Sequence, residues 1–154
     1  MNKWMAEAVR EAFSGMRKNE GGPFGALIVK DGKVVSKAHN RVLKTNDPAA
    51  HAEILAIRKA SKRLGRFDLS DCEIYSTCEP CPMCMAAILW ARIKKLCYGC
   101  TKKDAEKTGF DDRRFYNVIN IKNDKKLLVK KQIDRKSCLA PFREWDKKPD
   151  KIIY

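Results

Sequence analysis

The 154-residue sequence predicts an α/β fold, a three-layer α/β/α sandwich around a central mixed sheet of about five strands. Three observations carry this. Segments with apolar residues at helical spacing alternate with short β-rich runs. The first two β runs are joined by the turn dipeptide Asp31-Gly32. The later connections are long enough to be crossovers between parallel strands. The length suits a single domain, 1–154, and a 44% apolar content suffices for a core.

Each element has its own signal. Met5, Ala8, Val9, Ala12, Phe13 and Met16 recur at helical spacing and predict an amphipathic first helix, ended by Gly21-Gly22-Pro23. Phe24 to Val29 and Lys33 to Ala38 read as a β-hairpin around Asp31-Gly32. Asn46-Asp47-Pro48 reads as a helix start, a cap with proline just inside, leading a helix from Ala49 to Leu64. Cys72 to Thr77 is a predicted strand, Pro82 to Trp90 a helix, Lys95 to Gly99 a strand and Lys102 to Lys107 a short helix. Leu127 to Lys131 is the last predicted strand, and Leu139 to Lys148 a final helix interrupted by Pro141 near its start. There is no linker, repeat or low-complexity stretch.

No apolar run reaches the length of a membrane span, and Met1 to Arg17 lacks the continuous apolar stretch of a signal peptide. The expectation is a soluble cytoplasmic protein with no membrane partner. The net charge is +14, unevenly spread: residues 91–154 carry 19 basic and 9 acidic side chains. Such an excess suits an anionic partner, or a lysine-rich solvated surface. Scattered lysines without interleaved aromatics favour the surface. Seven cysteines in a chain read as cytoplasmic argue for metal ligation and burial over disulfides.

The chemistry-bearing residues cluster at two predicted helix starts. His51 falls in the first turn after Asp47-Pro48, and Cys81 and Cys84 flank Pro82-Met83. Two cysteines three apart on a helix share a face, and the positive end of the helix favours thiolate over thiol. Together they form a Cys₂His set suited to zinc, one ion per subunit. Three protein ligands leave the fourth tetrahedral position open to water, as catalytic zinc requires. Glu53 is then the candidate acid and base. One geometric tension stands: residues i and i+2 on a regular helix point about 200° apart, so His51 and Glu53 converge only if the helix end faces the site. Cys97 and Cys100 form a second CxxC. Lying on a strand and its end, they are expected on opposite faces and not as a metal site. Cys72, Cys78 and Cys138 read as small apolar residues. Glu79 reads equally as a pocket carboxylate or a turn residue.

The combination of H-x-E with a later P-C-x-x-C is the pattern of zinc nucleobase deaminases. Pro23-Phe24-Gly25-Ala26, Asn46 to Glu53 and Cys78-Glu79-Pro80-Cys81-Pro82-Met83-Cys84 resemble the cytidine and deoxycytidylate deaminase superfamily, over nearly the whole chain. Two branches look similar, the small bacterial guanine deaminases and the bacterial tRNA adenosine deaminases. Phe24, Trp90-Ala91-Arg92, Gly109-Phe110-Asp111-Asp112 and the terminal aromatic Tyr154 resemble the guanine branch.

That resemblance implies hydrolysis of guanine to xanthine and ammonia. Phe24 and Trp90 would pack on the purine, Asn40 and Asp112 would read its edge, and Tyr154 would close the pocket. Glu144 would be a second proton shuttle. The resemblance also implies a homodimer that exchanges the C-terminal segment 134–154. Each of these residues has a structural alternative: core packing for Phe24 and Trp90, a helix cap for Asp112, a turn for Asn40, a surface position for Glu144. Two other functions fit the same sequence. One is deamination of adenosine in a tRNA anticodon loop, suited to the basic C-terminal half. The other is a non-catalytic zinc protein whose site is closed by Cys78 as a fourth ligand.

Overall fold

A computed structural model describes residues 1–119 and 128–152. Its elements in chain order are α1 (Lys3–Arg17), β1 (Gly25–Lys30), β2 (Lys33–His39), α2 (Val42–Thr45), α3 (Ala52–Leu64), β3 (Cys72–Cys78), α4 (Pro82–Trp90), β4 (Lys95–Cys100), α5 (Lys102–Glu106), α6 (Arg113–Val118), β5 (Val129–Gln132) and α7 (Arg135–Lys147). The five strands lie in the order β2-β1-β3-β4-β5. β1 pairs antiparallel with both β2 and β3, while β3, β4 and β5 run parallel. This is the predicted mixed sheet with helices on both faces.

Period-2 alternation builds the layers. In β1, Ala26 and Ile28 face the cluster that holds Ala52, Ala56 and Ala60 of α3 and Met85 and Ile88 of α4. Leu27 and Val29 face the cluster with Met5, Ala8, Val9 and Met16 of α1 and Cys138, Phe142 and Trp145 of α7. A strand covered on both sides is apolar throughout, as the Phe24–Val29 run is. Asp31 and Gly32 both take positive φ, 49° and 68°, the two-residue turn whose twist suits a hairpin. Asn2 caps α1, its side chain accepting from the N–H groups of Trp4 and Met5.

The structure departs from the sequence reading in several places. Asp47-Pro48 does not start the helix. Asn46 ends the short α2 in the left-handed conformation, and the Asp47 carboxylate accepts from the Ala49 N–H at 2.8 Å. That is turn chemistry, which uses the same residue types as a helix cap. Helix α3 therefore begins at Ala52, with His51 as its cap in extended conformation. Helix α7 begins at Arg135, four residues before the predicted start, and runs through Pro141. Cys138, Phe142 and Trp145, all nearly inaccessible, dock that helix on the sheet and outweigh the lost backbone bond. Helices α2 and α6 escaped the sequence reading, as elements too short to show a period. The last strand is Val129–Gln132. Leu127 and Tyr154 lie outside the described residues.

All seven cysteines are buried free thiols. Cys97 and Cys100 join the same core cluster, contrary to the expected opposite faces. Cys100 is the last residue of β4, and its thiol reaches the carbonyl of Arg135 where α7 begins. Among the described residues, no helix is long and apolar enough to cross a membrane.

Candidate metal centre and active site

Four chain segments meet at one end of the strands, at the start of β1 and the ends of β2, β3 and β4. The pairing of Gly25 with His39 puts the start of β1 beside the end of β2, and β1 against β3 brings Ser76 level with Ala26. Phe24, Asn40 and the Cys78–Cys81 segment thus converge, joined by the stretch after β4. They surround a cavity of about 300 Å³, also lined by His51, Glu53, Glu79, Phe110 and Asp112. That is at the small end of the range for ligand pockets.

Helices α3 and α4 both aim their N-termini at this cavity. His51 and Cys81 are their cap residues, each with extended backbone. This resolves the 200° tension. His51 lies before the helix and Glu53 within its first turn, so the regular angular relation does not apply. The His51 Nδ1 lies 3.6 Å from the Cys81 Sγ and 3.5 Å from the Cys84 Sγ. A tetrahedral zinc with ordinary bond lengths separates its sulfur and nitrogen ligands by about 3.6 Å. The donor set and its spacing therefore fit zinc. Among the described residues, these three are the only His, Cys, Asp or Glu cluster suited to a metal. Cys78 is not a fourth ligand: its thiol donates to the Thr101 carbonyl at 3.6 Å. The Cys84 thiol and the His51 ring draw the Cys81 pKa down to about 4, so Cys81 is a thiolate at neutral pH.

Glu53 is 5% exposed and stands beside this triad, one carboxylate oxygen 3.6 Å from the Cys84 Sγ. Its other oxygen accepts from the Ser76 hydroxyl at 3.0 Å. Burial raises its pKa, moving the carboxyl toward the range in which it both takes and releases a proton. Ser76 was not foreseen. Its only signal is a hydroxyl on the same strand face as Ile74, where an apolar residue is otherwise expected.

The predicted base contacts divide. Phe24 lines the cavity, its ring held edge-on by Phe110 at 4.8 Å and Phe142 at 5.2 Å, so it is at once core and wall. Asn40 lines it too, fully buried, its carbonyl oxygen accepting from the Val42 N–H at 3.2 Å. Asp112 faces the same space. It makes no capping bond to α6, and its buried Oδ1 has no partner among the described residues. Burial, with the Cys81 thiolate nearby, pushes its pKa up to about 6. Glu79 also lines the wall, accepting from the Lys102 N–H.

The structure does not bring Trp90 or Glu144 to the cavity. Trp90 is 74% exposed at the far end of α4, two turns from the ligand-bearing end. Glu144 is held at the surface by a two-pronged ion pair with Arg17, at 2.7 and 2.8 Å. Residues that sequence reasoning missed include Phe110 in the aromatic wall and Tyr116, whose hydroxyl donates to the Pro80 carbonyl beside Cys81.

Fold and site define a class. Residues 1–100 match the cytidine and deoxycytidylate deaminase zinc-binding region, and the chain belongs to that family of deaminases. Among its relatives, it is 44% identical to guanine deaminase of Bacillus subtilis over 142 residues, 92% of this chain and 91% of that one. The crystal structure of that guanine deaminase superposes with a TM-score of 0.75 at 43% identity, covering 100% of this chain and 99% of that one. A tRNA-specific adenosine deaminase of Aquifex aeolicus is 48% identical over 96 residues, 62% of this chain and 63% of that one. A related structure solved with 2,6-diaminopurine gives a TM-score of 0.83 at 27% identity, covering 98% of this chain and 83% of that one.

Proposed function

We propose that this chain hydrolyses guanine to xanthine and ammonia, with one zinc per subunit held by His51, Cys81 and Cys84. The observation that carries the choice of guanine is the orphaned Oδ1 of Asp112. A buried carboxylate oxygen without a partner calls for N–H donors from a ligand. Guanine offers a ring N–H beside its exocyclic amine. Adenine presents a ring acceptor at that edge, which a carboxylate rejects. Phe24 supplies an apolar surface for the ring, and the Asn40 amide, its oxygen already accepting from the Gly22 and Val42 N–H groups, borders the edge of the base.

Zinc, when bound, supplies Lewis-acid activation of water. Glu53 does the proton work. A water oxygen bonds to the ring carbon that bears the amine, and the carbon–nitrogen bond breaks. Glu53 carries the two protons that water loses in turn: the first goes to the ring nitrogen as the oxygen–carbon bond forms, the second, from the resulting hydroxyl, to the leaving amine as the carbonyl forms. Ser76 holds the carboxylate in place for both transfers. Asp112 keeps the departing amine and ring N–H oriented.

The proposed working form is a cytoplasmic homodimer in which segment 134–154, whose α7 is docked on its own sheet here, takes the equivalent place on the partner, with Tyr154 closing the partner's cavity. Helix α4 has no charged residue, and Met83 and Trp90 stand exposed on it, which suits a subunit contact. Trp90 meets a base only across such a contact. Glu144, paired with Arg17, has no place in this mechanism.

A second reading, adenosine deamination in tRNA, has one observation in its favour: half-exposed Phe115 at the cavity wall, in a C-terminal half of net charge +10. Ammonia release from zinc-loaded protein offered guanine, adenine, cytosine, their nucleosides and tRNA separates the two. Turnover of free guanine is expected. Conversion of tRNA adenosine to inosine with guanine untouched would refute the first reading.

A further inference from the structure

His39 sits at the end of β2, one residue before the cavity residue Asn40. Its Nδ1 lies 3.1 Å from the Glu11 Oε2 of α1, and its Nε2 lies 2.9 Å from the Glu20 Oε2 of the following loop. Carboxylates only accept, so both ring nitrogens must donate, and the ring must carry its second proton. Glu20 is kept ionised by further cations: Lys44 of α2 at 2.6 Å and Arg41 at 3.3 Å. Glu11 also receives Lys37 of β2 at 3.4 Å, which in turn reaches Glu7 of α1 at 2.8 Å. These are the charged groups around the ring. The ring packs closely against α1 at Gly15. A Cβ at Gly15 would come within 2.4 Å of it, so the helix leaves a slot just where the imidazole enters.

We infer that His39 is a positioning residue for Asn40: clamped as a cation between Glu11 and Glu20, it locks the end of β2 to α1 and to the loop preceding β1, and so fixes the amide that faces the cavity. The connection is short and stiff. The Asn40 side-chain oxygen accepts from the Gly22 N–H at 3.4 Å, two residues after Glu20, and from the Val42 N–H. A Cβ at Gly21 would lie 2.1 Å from that oxygen, so the Glu20–Gly22 backbone and the Asn40 amide are in direct contact. The Lys44 N–H donates to the Glu20 carbonyl, and the Arg41 N–H to the Ala50 carbonyl next to His51. Glu20 therefore anchors both the wall that carries Asn40 and the approach to the metal ligand.

The hydrogen bond to Glu11, then that to Glu20, holds the His39 pKa above its ordinary value against the opposing effect of burial. The clamp is complete below the raised His39 pKa, down to the protonation of the glutamates. It is lost as pH rises through the His39 pKa. Asn40 then loses its support at alkaline pH while the metal site remains intact. The kinetic consequence rests on Asn40 holding the base, as proposed above. The clamp itself does not.

Zinc-loaded full-length protein has two histidines, so the H39Q variant assigns the His39 ring signals by nitrogen NMR. The expected result in the wild type is a doubly protonated His39 ring with its midpoint raised above the free side-chain value of about 6.5. The Asn40 side-chain amide and the Gly22 and Val42 backbone amides shift with that same midpoint. In H39Q, KM for guanine rises about fivefold with kcat held within about twofold, and its pH dependence on the alkaline side disappears. H39R, a permanent cation with two donors, restores KM across the range. A His39 midpoint at or below 6.5, or Asn40 signals indifferent to it, would overturn the inference. If the wild type leaves guanine unchanged, the substrate reading fails, and the NMR titration still decides the clamp.

Discussion

Replacing Asp112 by asparagine removes one charge and keeps the shape. In the structure the Asp112 Oδ1 is buried with no partner among the described residues, and under the proposed function its hydrogen bonds go to the substrate. A hydrogen bond to a charged acceptor contributes about 1.5–3 kcal/mol. At about 1.4 kcal/mol per factor of ten, the D112N enzyme should lose about ten- to hundredfold in kcat/KM for guanine. An asparagine amide can turn its NH₂ toward a ring acceptor, so discrimination against adenine should fall as well. The assay is ammonia release from guanine and from adenine by wild-type and D112N protein. Zinc content and Tm, measured in parallel, confirm an intact fold. A kcat/KM for guanine within about twofold of wild type would refute the reasoning, because Asp112 would then carry no substrate hydrogen bond.

Other outcomes follow from the same geometry. Glu53→Ala should retain zinc, measured by metal analysis, while kcat falls by about a hundredfold or more. Ser76→Ala removes a bond that stabilises ionised Glu53, so the acid limb of the kcat–pH profile should move to higher pH. Cys78→Ala should leave the zinc content unchanged, since that thiol is bound to the Thr101 carbonyl. Loss of zinc would revive a four-ligand structural site. Glu20 has its pKa depressed to about 2 by Lys44 and His39. Its stabilisation is present above the unfolded value of about 4.3 and vanishes as pH falls toward 2, so thermal melts across that window should be flatter for E20Q.

The His51, Cys81 and Cys84 cluster was legible because its spacing encodes geometry: a cysteine, a proline, and a second cysteine one turn on define a helix end by themselves. The approach to His51 was harder. Asp47-Pro48 satisfies the chemistry of a helix cap and of a tight turn alike, and only the backbone beyond it decides. The layers could be read because β1 is apolar on both faces and α1 on one. Ser76 and Phe110 could not, since their significance depends on which neighbours this end of the strands brings together. Trp90 and Glu144 show the opposite failure. Each has the right chemistry for a base contact or a proton relay, but helix α4 carries one away from the cavity, and Arg17 holds the other on the outer surface.

The aromatic wall has a bearing on how the protein is made. Phe24 and Phe110 are braced by Phe142 and Trp145 of α7, the last of the described helices to leave the ribosome. His51, Cys81 and Cys84 are synthesised well before it. A nascent chain halted short of α7 already contains His51, Cys81 and Cys84, while Phe24 and Phe110 lack the rings that brace them. The residues of the metal cluster and those that brace the cavity wall thus emerge at different times during synthesis. A prematurely terminated product would compete for zinc without acquiring a shaped cavity.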